Sequence, residues 1–361
     1  MSTKRVFNIA VMGAGLIGRR HVERVLAEER TALAAIIDPS PAGKAFAEEI
    51  GAPWHADFAS AHSASRPDGV IIATPNGLHV ENGLAAVRAG IPALVEKPIA
   101  DSVRQAETLV QAAEKAGIPL LVGHHRRHNP LIAKAKEILE SGELGTVLTA
   151  HGYFWTMKPD DYFDMAWRTR AGAGPVFLNL IHDIDLFRHF FGEVATVHAI
   201  ESNAVRGHAV EETAVILLRF RSGALATFNV SDAVVAPWSW ELTANENSAY
   251  PNQNEGCYQI GGTHGALSLP ALELWSNVGP RGWLEPLQRR RVPYVPADPL
   301  AVQIRHFCEV IDGAAGPRVS GRDGLETLRV IEAVKTSAKT GRAIEIAAAN
   351  DGFSLTEGVI A

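Results

Sequence analysis

Val6-Phe7-Asn8-Ile9-Ala10-Val11-Met12 is an apolar run, and Gly13-Ala14-Gly15-Leu16-Ile17-Gly18 follows it at once. The run reads as a buried strand, residues 16–29 as a helix and residues 32–37 as a second strand that ends in Asp38. Asp38 lies 20 residues beyond Gly18. In a Gly-x-Gly-x-x-Gly turn between strand and helix, Gly13 makes the tight turn. Gly15 lets main chain approach a pyrophosphate, and Gly18 lets helix and strand pack closely. Leu16 and Ile17 then open a helix whose free N–H groups and positive dipole end face phosphate. A carboxylate at the end of the second strand accepts hydrogen bonds from an adenosine ribose diol and repels a 2′-phosphate. Pro39-Ser40-Pro41 supplies no arginine nearby. NAD is therefore the expected cofactor, with NADP as the alternative.

Strand and helix signals go on alternating to about residue 123. Helices are expected at 41–50, 79–89 and up to 116, the last capped by Asp101 or Ser102 and stopped by Gly117. Strands are expected at 68–74, 91–95 and 118–122. Such alternation implies a doubly wound, mostly parallel sheet with its ligand crevice at the carboxyl ends of the strands. The pattern then changes. Strands are expected at 146–155, 196–201, 213–221, 223–231 and 239–244, and a helix at 177–191. Residues 244–255 read as a loop, and amphipathic helices are expected at 300–311 and 323–339. The fold class is α/β: a Rossmann domain over 1–123 and an α+β domain with an open, mostly antiparallel sheet over 124–346. The late helices at 300–340 are expected to pack back on the first domain, and 347–361 to form a loose tail. An open sheet face of this kind tends to be a subunit interface, so a homodimer or homotetramer is expected through it.

Composition bounds the partners. The 361 residues carry 34 basic and 40 acidic side chains, a net charge of -6, and no long basic tract. Nucleic-acid binding is not expected. No apolar stretch approaches the ~20 residues that span a bilayer, and the N-terminal residues lead straight into the first strand. The two cysteines, Cys257 and Cys308, have no metal or redox spacing and read as free thiols. A cytoplasmic protein with a small-molecule substrate is expected.

Polar residues gather at the expected strand ends: Thr74-Pro75-Asn76, Glu96-Lys97-Pro98 and Gly123-His124-His125-Arg126-Arg127-His128. A lysine at the mouth of the crevice can donate to a substrate oxygen or take part in proton transfer. The histidine tract has metal-ligand residue types, but its arginines would repel a cation and no acid is adjacent, so no metal site is expected. It reads as a strand-to-helix turn facing an anion, with Arg127 reaching cofactor phosphate or a substrate carboxylate. In the second half, His182-Asp183-Ile184-Asp185 follows the flexible Gly172-Ala173-Gly174-Pro175. An imidazole titrates near neutrality and can accept an alcohol proton. Asp185, one turn beyond His182, would orient it or meet substrate. Tyr153 is among the polar aromatics that fit a sugar.

Together the glycine turn, Glu96-Lys97-Pro98, the glycine-rich turn before His182 and the late Ser337-Ala338-Lys339-Thr340-Gly341-Arg342 resemble the glucose–fructose oxidoreductase / inositol dehydrogenase / MocA family over nearly the whole chain. The resemblance implies a Rossmann domain joined to an open-sheet domain, and NAD(P)-dependent oxidation or reduction of a sugar or cyclitol. It implies that Lys97 is the catalytic lysine and His182 the second catalytic residue. It places Thr74, Asn76, His79, Glu96 and Arg126 along the cofactor, and Trp167 and Arg168 in the shared cleft. One position departs. Many members carry an aspartate four residues before the histidine, where this chain has Leu178. Asn179 follows it and could bond a substrate hydroxyl. The expected substrate is a polyhydroxy or carboxylated cyclic molecule such as a sugar, cyclitol or cyclic diol. Alternative readings are a dinucleotide-binding sensor without turnover, and redox-assisted elimination or epimerisation with tightly held NAD.

Overall fold

The computed structural model describes residues 5–347 and 355–357. The chain divides into two compact units, one of Met1–Asn129 with Ala297–Leu328 and one of Pro130–Pro296 with Arg329–Ala361. The first opens with β1 (Phe7–Met12), α1 (Leu16–Ala27), β2 (Thr31–Ile37), α2 (Pro41–Glu49), β3 (Trp54–His55) and α3 (Phe58–Ser65). It continues with β4 (Gly69–Ile72), α4 (His79–Arg88), β5 (Ala93–Val95), α5 (Val103–Ala116) and β6 (Leu120–Val122). These six strands form one parallel sheet in the order β3-β2-β1-β4-β5-β6, the doubly wound arrangement expected of βαβ alternation. The reversal of strand order beside β1 puts the ends of β1 and β4 at the crevice. Ser102 caps α5 by accepting from the Gln105 N–H, and Gly117 closes it at φ 65°. The strand β3 and helix α3 were not expected from sequence; two paired residues are too few to show a period.

The second unit begins with α6 (Pro130–Glu140), β7 (Val147–Trp155), α7 (Ile181–Phe191), β8 (Val194–Ser202), β9 (Thr213–Phe220) and β10 (Leu225–Ser231). Then come α8 (Trp240–Thr243), β11 (Tyr258–Gly262), β12 (Ala266–Leu269), β13 (Glu273–Asn277) and β14 (Leu287–Arg291). Helix α9 (Pro299–Ile311) belongs to the first unit, where Ile304, Phe307, Cys308 and Val310 join Phe7, Ile9, Val11, Ile71 and Leu94 in one core. Helix α10 (Gly321–Thr340) contributes to both units, and β15 (Ile344–Ile346) and β16 (Leu355–Glu357) close the described chain. Of the tail expected at 347–361, residues 348–354 and 358–361 lie outside the described residues; the rest includes β16, which pairs with β15. The second sheet has ten strands in the order β14-β13-β12-β11-β7-β10-β9-β8-β15-β16. Among the described residues of this sheet, only β7 and β10 pair in parallel. The stretch 239–244, expected as a strand, is instead a single helical turn. Ser239 caps it at Leu242 N, and Trp240 is buried and stacks on Tyr258 at 5.5 Å.

Alternation along the strands separates two faces. Phe187 of α7 meets Phe228 at 4.3 Å and Tyr258 at 5.4 Å, and Phe191 meets Phe220 at 5.3 Å. Helix α10 packs on the same face, where Ser337 Oγ accepts from Ala199 N. Gly152 lies flat beneath Phe228, and a Cβ there would fall 2.2 Å from that ring. The opposite face carries His151, Tyr153, Trp155, Leu217 and Leu225. A Gly152→Val substitution should therefore cost about 1–3 kcal/mol by overpacking, read as a lowered urea midpoint with an unchanged slope.

Candidate active site

The glycine turn is built to receive a ligand main chain to main chain. Gly13 holds φ 90° and its N–H bonds Ile37 O at 2.8 Å. Gly15 is the N-cap of α1 with no side-chain cap hydrogen bond, and a Cβ at Gly15 would meet nothing within 4 Å. Open space before an uncovered helix N-terminus fits a dinucleotide pyrophosphate, which the N–H groups of Gly15, Leu16 and Ile17 would hold. Asp38 is tied to the same turn: Ala14 N–H donates to one carboxylate oxygen at 2.7 Å and Ser40 N–H to the other at 2.8 Å. Burial opposes its ionisation, but the Ser40 side chain, these N–H groups and Arg19 outweigh that and lower its pKa.

The turn after β5 carries Glu96 and Lys97. Glu96 is 5% exposed. One of its oxygens bonds His21 Nε2 at 2.8 Å, and the other accepts from Lys97 N at 3.2 Å. Burial works against its charge, yet His21, Lys97 and His125 overcome it and bring the pKa down to about 2. Sequence reasoning missed His21. The available signal was a polar residue on the buried face of α1, beside Gly18, Val22 and Val25. Around this turn, Thr74 Oγ1 accepts from Asn82 Nδ2 at 3.2 Å, and Asn76 opens a short 3₁₀ turn. His79 is 1% exposed and bonds Pro98 O and Thr74 O, each at 2.8 Å. Both ring nitrogens serve the main chain, so His79 braces the Lys97-Pro98 turn and offers no ring nitrogen to a ligand.

The tract 125–128 is a 3₁₀ turn, and it corrects the anion reading of Arg127. Arg126 is 2% exposed, and Arg127, 6% exposed, pairs with Asp323 at 3.2 Å. His128 lies 5.4 Å from the His306 ring. Arg127 is thus a buried structural cation whose partner is distant in sequence.

In the second unit, residues 176–180 form a π turn leading into α7. A π turn inserts an extra residue and re-aims the side chains after it. Its N-terminus is held by Glu211, which accepts from Val176 N at 2.9 Å and pairs with Lys335. Between Ala173 and Phe187 only Leu178 and Asn179 are partly exposed; His182 is 7% exposed and Asp185 1%. Asp185 is thus buried within α7, which fits positioning rather than substrate contact. Asp183, next to His182, accepts from the Tyr258 hydroxyl. Asn179 Oδ1 accepts from Lys158 Nζ at 2.9 Å, and Lys158 also pairs with Asp232 at 3.3 Å. Burial lowers the Lys158 pKa and Asp232 pulls against that shift. Trp167 is 48% exposed, and Arg168 stacks 4.0 Å from the Tyr162 ring. Tyr153 corrects another expectation. It stands on the sheet face opposite α7, packed between His151 at 4.2 Å and Trp155 at 5.3 Å, so it serves sheet packing there. Among the described residues, no three His, Cys, Asp or Glu side chains are grouped to hold a metal ion, and no helix is long and apolar enough to cross a membrane.

The Glu96 geometry sets a pH dependence. A folded pKa below the ordinary 4.5 stabilises the fold above that value, and the gain is lost as pH falls toward 2. Glu96→Gln should therefore lower unfolding free energy by a few kcal/mol at pH 7, and the difference from wild type should shrink steadily between pH 5 and pH 3 in denaturant titrations.

A family model for the oxidoreductase family with an NAD-binding Rossmann fold matches residues 7–124, and the GFO/IDH/MocA C-terminal domain model matches residues 132–268. The chain is 29% identical over 357 residues to a D-apiose dehydrogenase of Paraburkholderia graminis, covering 96% of this chain and 91% of that one. It is 29% identical over 284 residues to a 1,5-anhydro-D-fructose reductase of Ensifer adhaerens, covering 77% and 80%. Among solved structures, an aldose-aldose oxidoreductase from Caulobacter crescentus complexed with glycerol superposes with a TM-score of 0.78 at 27% identity, covering 95% of this chain and 100% of that one. An Agrobacterium radiobacter oxidoreductase in complex with NAD+, L-tartaric acid and magnesium has the same fold, with a TM-score of 0.80 at 24% identity, covering 95% and 98%. The two matched domains, the open glycine turn and the sugar dehydrogenases and reductases it resembles lead to one conclusion: the chain belongs to the GFO/IDH/MocA family of NAD-binding oxidoreductases.

Proposed function

We propose that this enzyme interconverts a secondary alcohol and a ketone on a sugar, cyclitol or cyclic diol, with Lys97 and His182 handling the proton. The observation that carries the reading is the Glu96–Lys97 turn at the carboxyl end of β5. That strand neighbours β4, whose end packs against the glycine turn. A lysine in that place, behind which a buried carboxylate is held ionised, is a cation at the edge where a dinucleotide would lie. Bound NAD supplies the hydride acceptor. Lys97 donates a hydrogen bond to the substrate oxygen and stabilises the negative charge that develops on it. His182 accepts the proton, directly or by way of Lys97, which is worth about 10²–10⁴-fold in rate. Asp38 takes the ribose diol, while Thr74, Asn76, Arg126 and Trp167 border the cofactor and Arg168 and Asn179 the substrate. Two buried cysteines that form no disulfide fit the cytoplasm.

A second copy of the chain is proposed as the cover for the open sheet face. Ile200, Val215, Leu217 and Leu225 are 70%, 45%, 50% and 54% exposed there. A groove of about 660 Å³ on this face is lined by Leu217 and Leu225 with Thr149, His198, Arg219 and Thr227 among others. Contiguous apolar area of this kind marks an interaction site.

In a screen of alcohols with NAD, read as absorbance of the reduced cofactor, wild type should turn over at least one polyol. Lys97→Ala should bind NAD nearly as well and lose turnover by 10²-fold or more, and His182→Ala should be similarly crippled. Full activity in either variant would move the proton chemistry elsewhere. Leu217→Asp should convert the native oligomer to monomer in light scattering; an unchanged mass would place the interface on another surface.

A further inference from the structure

We propose that Asn179 and Arg168, with Lys158 as the positioning residue, form a carboxylate subsite one turn before His182, so that the enzyme prefers hydroxy acids or sugar acids to neutral polyols. The proposal rests on the dehydrogenase reading above and names its substrate class.

The polarity of Asn179 is set by its partner. An ammonium group donates and cannot accept, so the carboxamide oxygen must turn to Lys158 Nζ, 2.9 Å away. The amide NH₂ then points elsewhere, and among the described residues no protein group accepts from it. Asn179 is one of two partly exposed residues in an otherwise buried stretch that ends at the candidate base. The other is Leu178, whose side chain can neither accept nor donate a hydrogen bond. What this helix face presents to a substrate is therefore a donor.

A second donor is independent of the first. Arg168 Nη1 donates to Tyr162 O at 2.7 Å, but its Nε is buried without a partner. The same Tyr162 ring lies 4.0 Å from the Arg168 guanidinium and 4.9 Å from Lys158 Nζ, which joins Asn179, Lys158 and Arg168 into one cluster. Asp232 is shared between Lys158 and Arg206. Glu241 also faces Lys158, and Glu212 accepts from the Arg206 main-chain N–H at 2.8 Å. Two donors left without a protein acceptor, one of them on a guanidinium, suit a substrate oxygen that only accepts and carries charge.

The test compares ligands that differ chiefly in a carboxylate, D-gluconate with D-glucitol and D-glucuronate with D-glucose, by calorimetry on NAD-saturated protein. Wild type should bind the acid of each pair about tenfold tighter or more. Lys158→Gln and Arg168→Gln should each cut that ratio about tenfold, and Lys158→Arg should restore most of it. A merely structural role would weaken both members of a pair together and leave the ratio alone. Equal binding of acid and neutral partner by wild type, no binding of either acid, or a ratio unmoved in both glutamine variants would overturn the proposal. Reduced-cofactor absorbance separates the two readings. Turnover without acid preference removes the subsite alone; acid preference with no turnover of any alcohol removes the dehydrogenase reading alone.

Discussion

The first unit depends on how close main chain can come to main chain at the glycine turn. A Cβ on Gly18 would stand 2.0 Å from Gly13 O, and one on Gly13 would stand 2.4 Å from Ala73 O. Any side chain at either place would push α1 away from β1, or β4 away from both. Because neither has one, the N-terminus of α1 and the ends of β1 and β4 meet with uncovered N–H groups between them. Asp38 then fastens the end of β2 to the same turn through Ala14 N. Phosphate recognition and ribose recognition are in this sense a single packing event.

The two units use a similar device to set their candidate chemical residues. In each, a buried carboxylate sits behind the segment that matters. Glu96 is held by His21 and receives the Lys97 N–H; Glu211 is held by Lys335 and receives the Val176 N–H at the start of the π turn. Gly174 makes room for Glu211, since a Cβ there would fall 2.4 Å from its oxygen. A buried acid held by a side-chain partner and a main-chain donor is costly to disturb, so each fixes a backbone direction and, through it, the placement of Lys97 or of Asn179 and His182.

What was legible in the sequence was what is local or periodic. The glycine spacing, the acid after β2, the Ser102 and Gly117 caps and the alternation of β9 and β10 all sit within a few residues of the feature they specify. What was missed depends on partners far along the chain. Arg127 invited an anion because Asp323, 196 residues away, could not be seen beside it. Tyr153 was assigned to substrate because a period of two tells which residues share a face, not which face the helices cover. Trp240 has strand propensity, but its stacking on Tyr258 fixes a helical turn there. Lys158 lies in no motif, and it gains meaning only when Asn179 and Asp232 are folded against it.

The most direct measurement is a crystal structure of the protein soaked with NAD. The account predicts the pyrophosphate on the N–H groups of Gly15, Leu16 and Ile17, and the nicotinamide ring beside the Glu96–Lys97 turn with the Lys97 ammonium within hydrogen-bond reach of an oxygen over its C4 edge. A dinucleotide bound elsewhere, or a nicotinamide ring pointing away from Lys97, would contradict it.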